Sequence, residues 1–216
     1  ITLLSKKTIG SKWSMIPKEK DNVNLYDIIG QMPKIDPFIK DVNDSELLDI
    51  FPNFYKRQDE ALNISQWNRP PIHLKRQVIA MMHTPTGCSA FDNEIYKPRK
   101  VNGELVKGFK NTYKRQNWDT PAYAITMDNR KISSQNNVHP GRFVGFNSNG
   151  EKLFSDPRAL TLYEIMKTMT IPENWSLPPN SSEAFVRRII GEGIPPLFVK
   201  KLDIDFLSSN KPFDGK

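Results

Sequence analysis

The sequence predicts an α+β protein, in which an irregular region with a small twisted β-sheet and hairpins precedes a helical C-terminal segment. Three observations lead to this fold class. The 216 residues include 17 prolines and no internal repeat, which indicates a chain rich in loops. An Asn-Gly pair at positions 102 and 103 separates two strand-like runs, the typical pattern of a β-hairpin. Thr161 and Glu164 form a capping box ahead of an apolar helical stripe in the last third of the chain.

The N-terminal part is predicted to contain one strand and three helices. Residues 1–5 are apolar and have the character of a strand. Because the sequence opens inside that pattern without an initiator Met, we expect a fragment, a mature subunit or the ordered part of a longer protein. Asn24 is a candidate N-cap for a short helix that ends at Gly30. Two more helices are expected at residues 45–50 and 53–64, separated by a proline.

The centre of the chain is predicted to consist of strands and loops. Residues 77–82 form an apolar, strand-like run, and residues 95–101 and 104–109 are the two arms of the Asn-Gly hairpin. Residues 115–126 are expected to be a loop that leads into a strand, and residues 136–142 a polar loop. Three helices are then expected, over residues 162–169, 182–190 and 195–207.

Positive charge is concentrated in one part of the chain. The net charge is +7, and residues 95–115 alone carry seven Lys and Arg against one Glu. Residues 18–60, in contrast, carry ten acidic and six basic side chains. A concentrated basic region is expected of a protein that binds phosphate backbones, and a basic two-stranded ribbon is one shape that enters a DNA major groove. A solvated basic surface is the alternative interpretation.

The sequence contains no self-sufficient catalytic or metal-binding pattern. Cys88, the single cysteine, has no basic residue close in sequence and is more typical of a small buried residue than of a nucleophile. His73, His83 and His139 are not grouped with it at zinc-ligand spacing. Phosphate-binding glycine loops and nucleophile elbows are absent. No apolar run approaches 18 residues, so no membrane span is predicted, and a single cysteine fits a reducing compartment.

Five stretches, in order along the chain, resemble motifs of the DNA cytosine-5 methyltransferases, and the resemblance covers roughly residues 1–205. The first three are similar to segments that open, lie within and follow the target-recognition region of that family. The last two resemble its ninth and tenth motifs. The five stretches are VNLYDIIGQMP at 23–33, WDTPAYAIT at 118–126, HPGR at 139–142, RALTLYEIMKTMTIP at 158–172 and RRIIGEGIPP at 187–196.

The resemblance implies that the catalytic segments of the family lie outside this sequence. These are the S-adenosylmethionine loop, the Pro-Cys nucleophile segment, the Glu-Asn-Val segment and the Arg-rich eighth motif, after which residues 1–6 match the expected strand. Cys88 lacks the Pro-Cys context and is not the family nucleophile. Three positions depart from the family pattern: Ala124 replaces a usual Thr, Thr170 a usual Gly and Glu192 a common Asn.

The same resemblance implies that the chain binds duplex DNA opposite a catalytic domain while the target base is flipped out. No catalytic residue is expected in it. Gly191, Glu192 and Gly193 are expected to close one wall of the pocket for S-adenosylmethionine, the methyl donor. A core anchor is the favoured interpretation of Trp118. Among candidate DNA-binding residues, Lys114, Arg115, Arg130 and Arg142 are expected to contact phosphate or guanine, and Trp118 and Thr126 to shape the reading loops, with His139 beside them.

Three parts of the chain are expected on this basis. Residues 1–22 end a catalytic-domain strand, residues 23–157 form the target-recognition domain, and the helices of residues 158–216 return to complete a Rossmann-like methyltransferase domain. The expected partners are duplex DNA and an N-terminal catalytic domain or subunit, and the expected role is a modification methylase in the bacterial cytoplasm, associated with the nucleoid. A stand-alone nucleic-acid-binding module and a protein-interaction domain with a basic face are the alternatives.

Overall fold

The computed structural model describes residues 22–93, 95–108, 110–133, 135–178 and 180–209, without the side chains of residues 203–209. Its described part combines seven α-helices with two small sheets, so the α+β class is confirmed. The strand expected at residues 1–5 lies outside the described residues. The helices are α1 Leu25–Ile29, α2 Asp44–Ile50, α3 Phe54–Ile64, α4 Lys75–Met82, α5 Leu162–Thr168, α6 Glu183–Glu192 and α7 Pro196–Ser209; the strands are β1 Phe38–Ile39, β2 Ile72–His73, β3 Phe143–Phe146 and β4 Lys152–Phe154.

The helices that the sequence predicts from local signals are confirmed. The backbone N–H of Asn24 donates to the Asp27 carboxylate at 2.9 Å at the start of α1. At the start of α5, the Thr161 hydroxyl accepts from the Glu164 backbone, and the Glu164 carboxylate accepts from the Thr161 backbone at 2.7 Å. The hydroxyl of Ser182 caps α6 by accepting from the Phe185 backbone. Each of these caps pairs backbone donors that the first turn of a helix leaves unsatisfied.

The run at residues 77–82 is part of helix α4, so the prediction of a strand there is wrong. Val78 and Met81 are both fully buried, and residues three apart share one face of a helix but lie on opposite faces of a strand. The Gln77 side chain accepts from the Leu74 backbone at 2.9 Å and fixes the start of the helix. A short apolar run alone does not distinguish these two structures.

The Asn-Gly hairpin is reduced to a turn with a single bridge between Arg99 and Leu105. Gly103 adopts a left-handed φ of +84°, whereas Asn102 has no positive φ, so the turn is not the type in which both central residues are left-handed. Residues 121–126 are likewise irregular rather than a strand. The described sheets lie elsewhere: β1 pairs in parallel with β2, and β3 pairs antiparallel with β4 across a bulge.

The largest apolar cluster joins α1 to the C-terminal helices. Leu25 and Ile29 of α1 pack with Ile165 of α5 and with Val186 and Ile190 of α6, and all five side chains are buried. Residues from both sides of position 157 therefore share one core. Two smaller clusters lie around α3 and α4.

Candidate functional site

A group of arginines with fully or nearly fully buried side chains, Arg115, Arg158 and Arg187, lies behind the predicted DNA-reading loops. We call it the buried arginine cluster. Arg158 donates two hydrogen bonds of 2.8 Å to the Glu164 carboxylate and one of 2.9 Å to Asp156. Burial raises the pKa of the Glu164 carboxyl, but the Arg158 guanidinium offsets burial and holds that pKa below its ordinary value. Arg158 is thus neutralised by two buried carboxylates.

Arg115 is fully buried, so the prediction that it contacts phosphate or guanine is wrong. Its guanidinium donates to the backbone carbonyls of Met81 at 2.8 Å, His139 at 2.9 Å and Asp156 at 3.2 Å. A Cβ at Gly141 would lie 2.3 Å from Arg115 Nη1, so glycine, at a φ of +65°, makes room for this side chain. Arg115 ties three backbone segments together beneath the surface.

His139 is buried too, and it lies beside Trp118 as predicted. Its Nδ1 accepts from the Gly141 backbone at 3.0 Å, and its ring meets the Trp118 ring edge-on, with centroids 5.2 Å apart. Burial lowers the pKa of His139 to about 4, so the ring is neutral near pH 7. Direct DNA contact by His139 is excluded in this conformation because the side chain is only 5% exposed.

Trp118 and Arg142 form a half-buried aromatic–cation stack. The Arg142 guanidinium carbon lies 5.0 Å from the Trp118 ring centroid and 5.8 Å from that of Tyr26, and Arg142 also donates to the Gly30 carbonyl. Trp118 Nε1 donates to the Gly141 carbonyl at 2.7 Å. These contacts fit the core-anchor interpretation of Trp118.

The other predicted DNA-binding side chains lie nearer to solvent. Arg130 is exposed, and Lys114 is half-buried with its Nζ 5.6 Å from the Tyr123 ring centroid. Thr126 donates through its hydroxyl to Gln135 at 3.1 Å and so stiffens its loop. Lys114, Arg130 and Arg142 remain predicted DNA contacts. Further cations on the basic segment 95–115 are also exposed, namely Arg99, Lys100, Lys107 and Lys110.

In the RRIIGEGIPP stretch, the first glycine does not end helix α6. The helix continues through Gly191 to Glu192, and Gly193 is its C-cap. A Cβ at Gly191 would lie 2.3 Å from the Thr126 carbonyl oxygen and 2.6 Å from the Met127 backbone nitrogen. Gly191 therefore allows α6 to approach loop 126–127 closely, a packing reason that needs no cofactor. Glu192 is exposed and pairs with Arg188 at 3.0 Å.

Arg187 was not predicted as a site residue, although it stands in the same stretch. It donates to the Asn129 side chain at 3.1 Å and to the Leu160 carbonyl at 3.2 Å, while Asn129 donates back to the Arg187 carbonyl at 2.9 Å. The double arginine of the motif was the available signal, but sequence spacing does not tell which arginine is buried. Arg187 is 3% exposed, whereas its neighbour Arg188 is exposed.

Other site types are not found in the described part of the chain. Within it, no group of three or more His, Cys, Asp or Glu is arranged to hold a metal ion. Helices long and apolar enough to cross a membrane are also absent among the residues that the structure describes. Cys88 is half-buried.

Comparison with known proteins decides the family. The model of the C-5 cytosine-specific DNA methylases matches residues 12–204. The chain belongs to this family. It is also 43% identical, over 210 residues, to the Type II methyltransferase M1.HgaI of Avibacterium volantium. That alignment covers 97% of the chain and 50% of the relative, so this methylase-family chain spans about half the length of the relative. No solved structure matches it.

Proposed function

We propose that this chain is the DNA-recognition portion of a DNA (cytosine-5-)-methyltransferase that modifies a specific duplex sequence. The observation that carries the proposal is the family match over residues 12–204, together with the Type II methyltransferase relative along nearly the whole chain. A modification methylase of a restriction–modification system, which acts on DNA in the bacterial cytoplasm, is the corresponding biological role. The Rossmann-like fold of the complete enzyme is part of the same proposal.

An exposed apolar surface on the C-terminal helices supports a partner domain. Phe185 and Ile189 lie one turn apart on α6 and are 50% and 39% exposed, and Leu197 and Phe198 of α7 are 59% and 39% exposed. Large exposed apolar side chains, such as this pair on α6, mark surfaces that another protein part covers when they form a patch. We assign this surface to the N-terminal catalytic domain or subunit.

The DNA-facing role rests on the contrast between exposed and buried cations. The exposed basic side chains of residues 95–115 supply sequence-independent attraction to phosphates. Lys114, Arg130 and Arg142 are the proposed positioning or base-reading contacts, and the buried arginine cluster holds their loops in place. None of these side chains carries out the covalent step.

The residues proposed for the cofactor wall fit it only in part. S-adenosylmethionine supplies the methyl group when it is bound to the complete enzyme. Gly191 packs against the Thr126 backbone, so it would contribute to the cofactor wall only indirectly, by fixing the position of the end of α6. Glu192 and Gly193 are exposed at that end and are the two positions available to such a pocket.

The test is methyl transfer from labelled S-adenosylmethionine to mixed duplex DNA, measured with the native catalytic half alone, this chain alone and both together. Transfer only when both are present is expected, and mapping the label then identifies the target site. Transfer by the catalytic half alone at the same rate and site would refute the recognition role. Duplex binding without any transfer from a folded mixture would favour the stand-alone binding module.

A further inference from the structure

A cleft of about 530 Å³ lies between helix α4 and the residues 95–101, on the part of the chain with the most positive charge. We call it the basic cleft. Its volume is within the roughly 300–1,000 Å³ of small-molecule sites. Apolar side chains from both walls, including Ile79, form most of its surface. Its lining cations are Lys75, Arg76, Lys97 and Arg99.

Arg76 is the feature that points to a missing ligand. Its Nε and Nη1 atoms are shielded from solvent and have no hydrogen-bond partner among the described residues. Shielded donors without partners are rare, because they lose hydration and gain nothing in return. In the buried arginine cluster, by contrast, Arg158 and Arg115 donate to several acceptors each.

The other charges of the cleft do not neutralise Arg76. Lys75 pairs with Glu46, and Arg99 donates to the Gly103 carbonyl at 2.8 Å. Asp41, which also lines the cleft, accepts from the Lys75 backbone at 2.7 Å. Lys97 has no ion-pair partner within the described ranges. The cleft therefore keeps an excess of positive charge beside an apolar wall.

The wall also contains a fixed aromatic ring. Tyr96 stacks on His83 with ring centroids 3.9 Å apart and an interplanar angle of 11°, and its hydroxyl donates to Glu151 at 2.6 Å. A planar, rigid and partly apolar surface beside an arginine suits a ligand with a flat base and a phosphate. An inorganic anion would use the charge but would leave the apolar wall uncovered.

We propose that the basic cleft is a nucleotide-binding subsite, in which the Arg76 guanidinium binds the phosphate and the apolar wall with Tyr96 receives the base. The nucleotide is either an unstacked residue of a DNA strand or a free nucleoside monophosphate. Only the first source rests on the proposed DNA-recognition function. The cleft itself can be tested without duplex DNA.

The first experiment titrates the full chain with a nucleoside monophosphate and, separately, with inorganic phosphate, and follows binding by NMR chemical shifts. The variants are Arg76→Met and, as a matched control, Lys56→Met, which removes one positive charge from an exposed site on α3. We expect Arg76→Met to weaken nucleotide binding by about tenfold, because one charge-assisted hydrogen-bonding group is removed, and Lys56→Met to change it less than twofold. Inorganic phosphate should bind about tenfold more weakly than the nucleotide.

Thermal unfolding separates a binding role from a structural one. Because Nε and Nη1 of Arg76 have no acceptor among the described residues, Arg76→Met should leave the unfolding temperature unchanged or raise it. Nucleotide binding that is undetectable, or equal in the variant and the unmodified chain, would overturn the proposal. A fall in unfolding temperature with unchanged nucleotide affinity would instead make Arg76 a structural residue and overturn it as well.

Duplex DNA binding identifies the source of the nucleotide. If Arg76→Met weakens both monophosphate and duplex binding, the subsite receives a residue of the DNA, and if only monophosphate binding is weakened, it receives a free nucleotide. Absence of duplex binding by the unmodified chain would count against the proposed recognition function. The monophosphate titration would still show whether the basic cleft binds a nucleotide.

Discussion

The buried arginine cluster and the basic cleft both contain shielded arginines, but these differ in how many hydrogen-bond acceptors they meet. Arg158 has acceptors on Glu164, Asp156 and the Ile35 backbone, whereas Arg76 has two shielded donors that meet no acceptor among the described residues. A saturated arginine contributes to folding and has no donor left for a ligand. An unsaturated one gives up stability that a ligand can restore. We therefore expect partner saturation, rather than positive charge, to distinguish the arginines that stabilise the fold from those that bind ligands in this chain.

The largest expected effect is the loss of the buried charge partner. Arg158→Met should lower the free energy of unfolding by about 3–5 kcal/mol, because Glu164 and Asp156 would remain buried without their cation. Urea unfolding at pH 7 measures it. Arg188→Met is the matched control, since it breaks an exposed pair with Glu192 and should change the free energy by less than about 1 kcal/mol. If the two variants lowered the free energy of unfolding equally, buried and exposed arginines would not differ in their contribution to stability.

The next effect is a loss of stability in mild acid. Burial lowers the pKa of His73 and of His139 to about 4, below the 6.5 of the unfolded chain. As the pH falls from 7, the unfolded state takes up these protons first, so stability decreases between about pH 6.5 and pH 4. The free energy of unfolding should fall by about 2 kcal/mol per histidine between pH 7 and pH 5.

His73→Gln supplies the control for this acid sensitivity. The glutamine amide oxygen can take the place of His73 Nε2, which accepts from the Ala159 backbone N–H at 3.0 Å, but glutamine does not titrate. The variant should lose roughly half of the difference in unfolding free energy between pH 7 and pH 5. A pH dependence equal to that of the unmodified chain would show that His73 is not the titrating group.

A smaller effect is expected at the contact between α6 and the reading loop. Gly191→Ala should destabilise the chain by about 1–3 kcal/mol, although alanine favours helices, because its Cβ would overlap the Thr126 and Met127 backbones. The measurement is urea unfolding, with Gly150→Ala as a comparison that has open space around the Cβ but a strained φ of +77°. A stabilising Gly191→Ala would contradict the close approach.

The smallest effect on folding is expected at the proposed cofactor wall. Glu192→Ala should change the free energy of unfolding by no more than about 0.5 kcal/mol, because the pair with Arg188 is exposed. Binding of S-adenosylmethionine by the assembled enzyme is the informative measurement. Unchanged cofactor affinity in both Glu192→Ala and Gly193→Leu would reject the assignment of this wall.

The parts of the fold that the sequence predicts are those fixed by local chemistry. Helices α1, α5 and α6 start at side chains that cap their own first turns, so a few neighbouring residues specify them. Helix α4 was missed because its apolar run suits a strand equally well until Val78 and Met81 are seen on one buried face. The β3–β4 pair was missed because its pairing is decided by packing between segments.

The sequence leads to a candidate DNA-binding region, but it does not tell which of the arginines in that region are buried. The basic segment 95–115 and the loops around Trp118 were identified from charge and motif order. Burial, however, is a property of the folded chain, so Arg115 was placed on the surface although it binds three backbone carbonyls inside. Arg76 was not predicted as a site residue, because it lies outside the densest run of charge and immediately before the apolar run at residues 77–82.

Duplex DNA binding, measured as a function of salt concentration, shows whether the proposed surface cations bind the phosphates. The full chain is compared with a Lys114→Gln, Arg130→Gln double variant, in which two of the proposed DNA-binding side chains are neutral. We expect the slope of log affinity against log salt to become shallower by about 0.9 for each phosphate that is no longer neutralised, so by about 1.8 in the double variant. An unchanged slope and affinity would contradict the claim that Lys114 and Arg130, and not the buried arginine cluster, bind DNA.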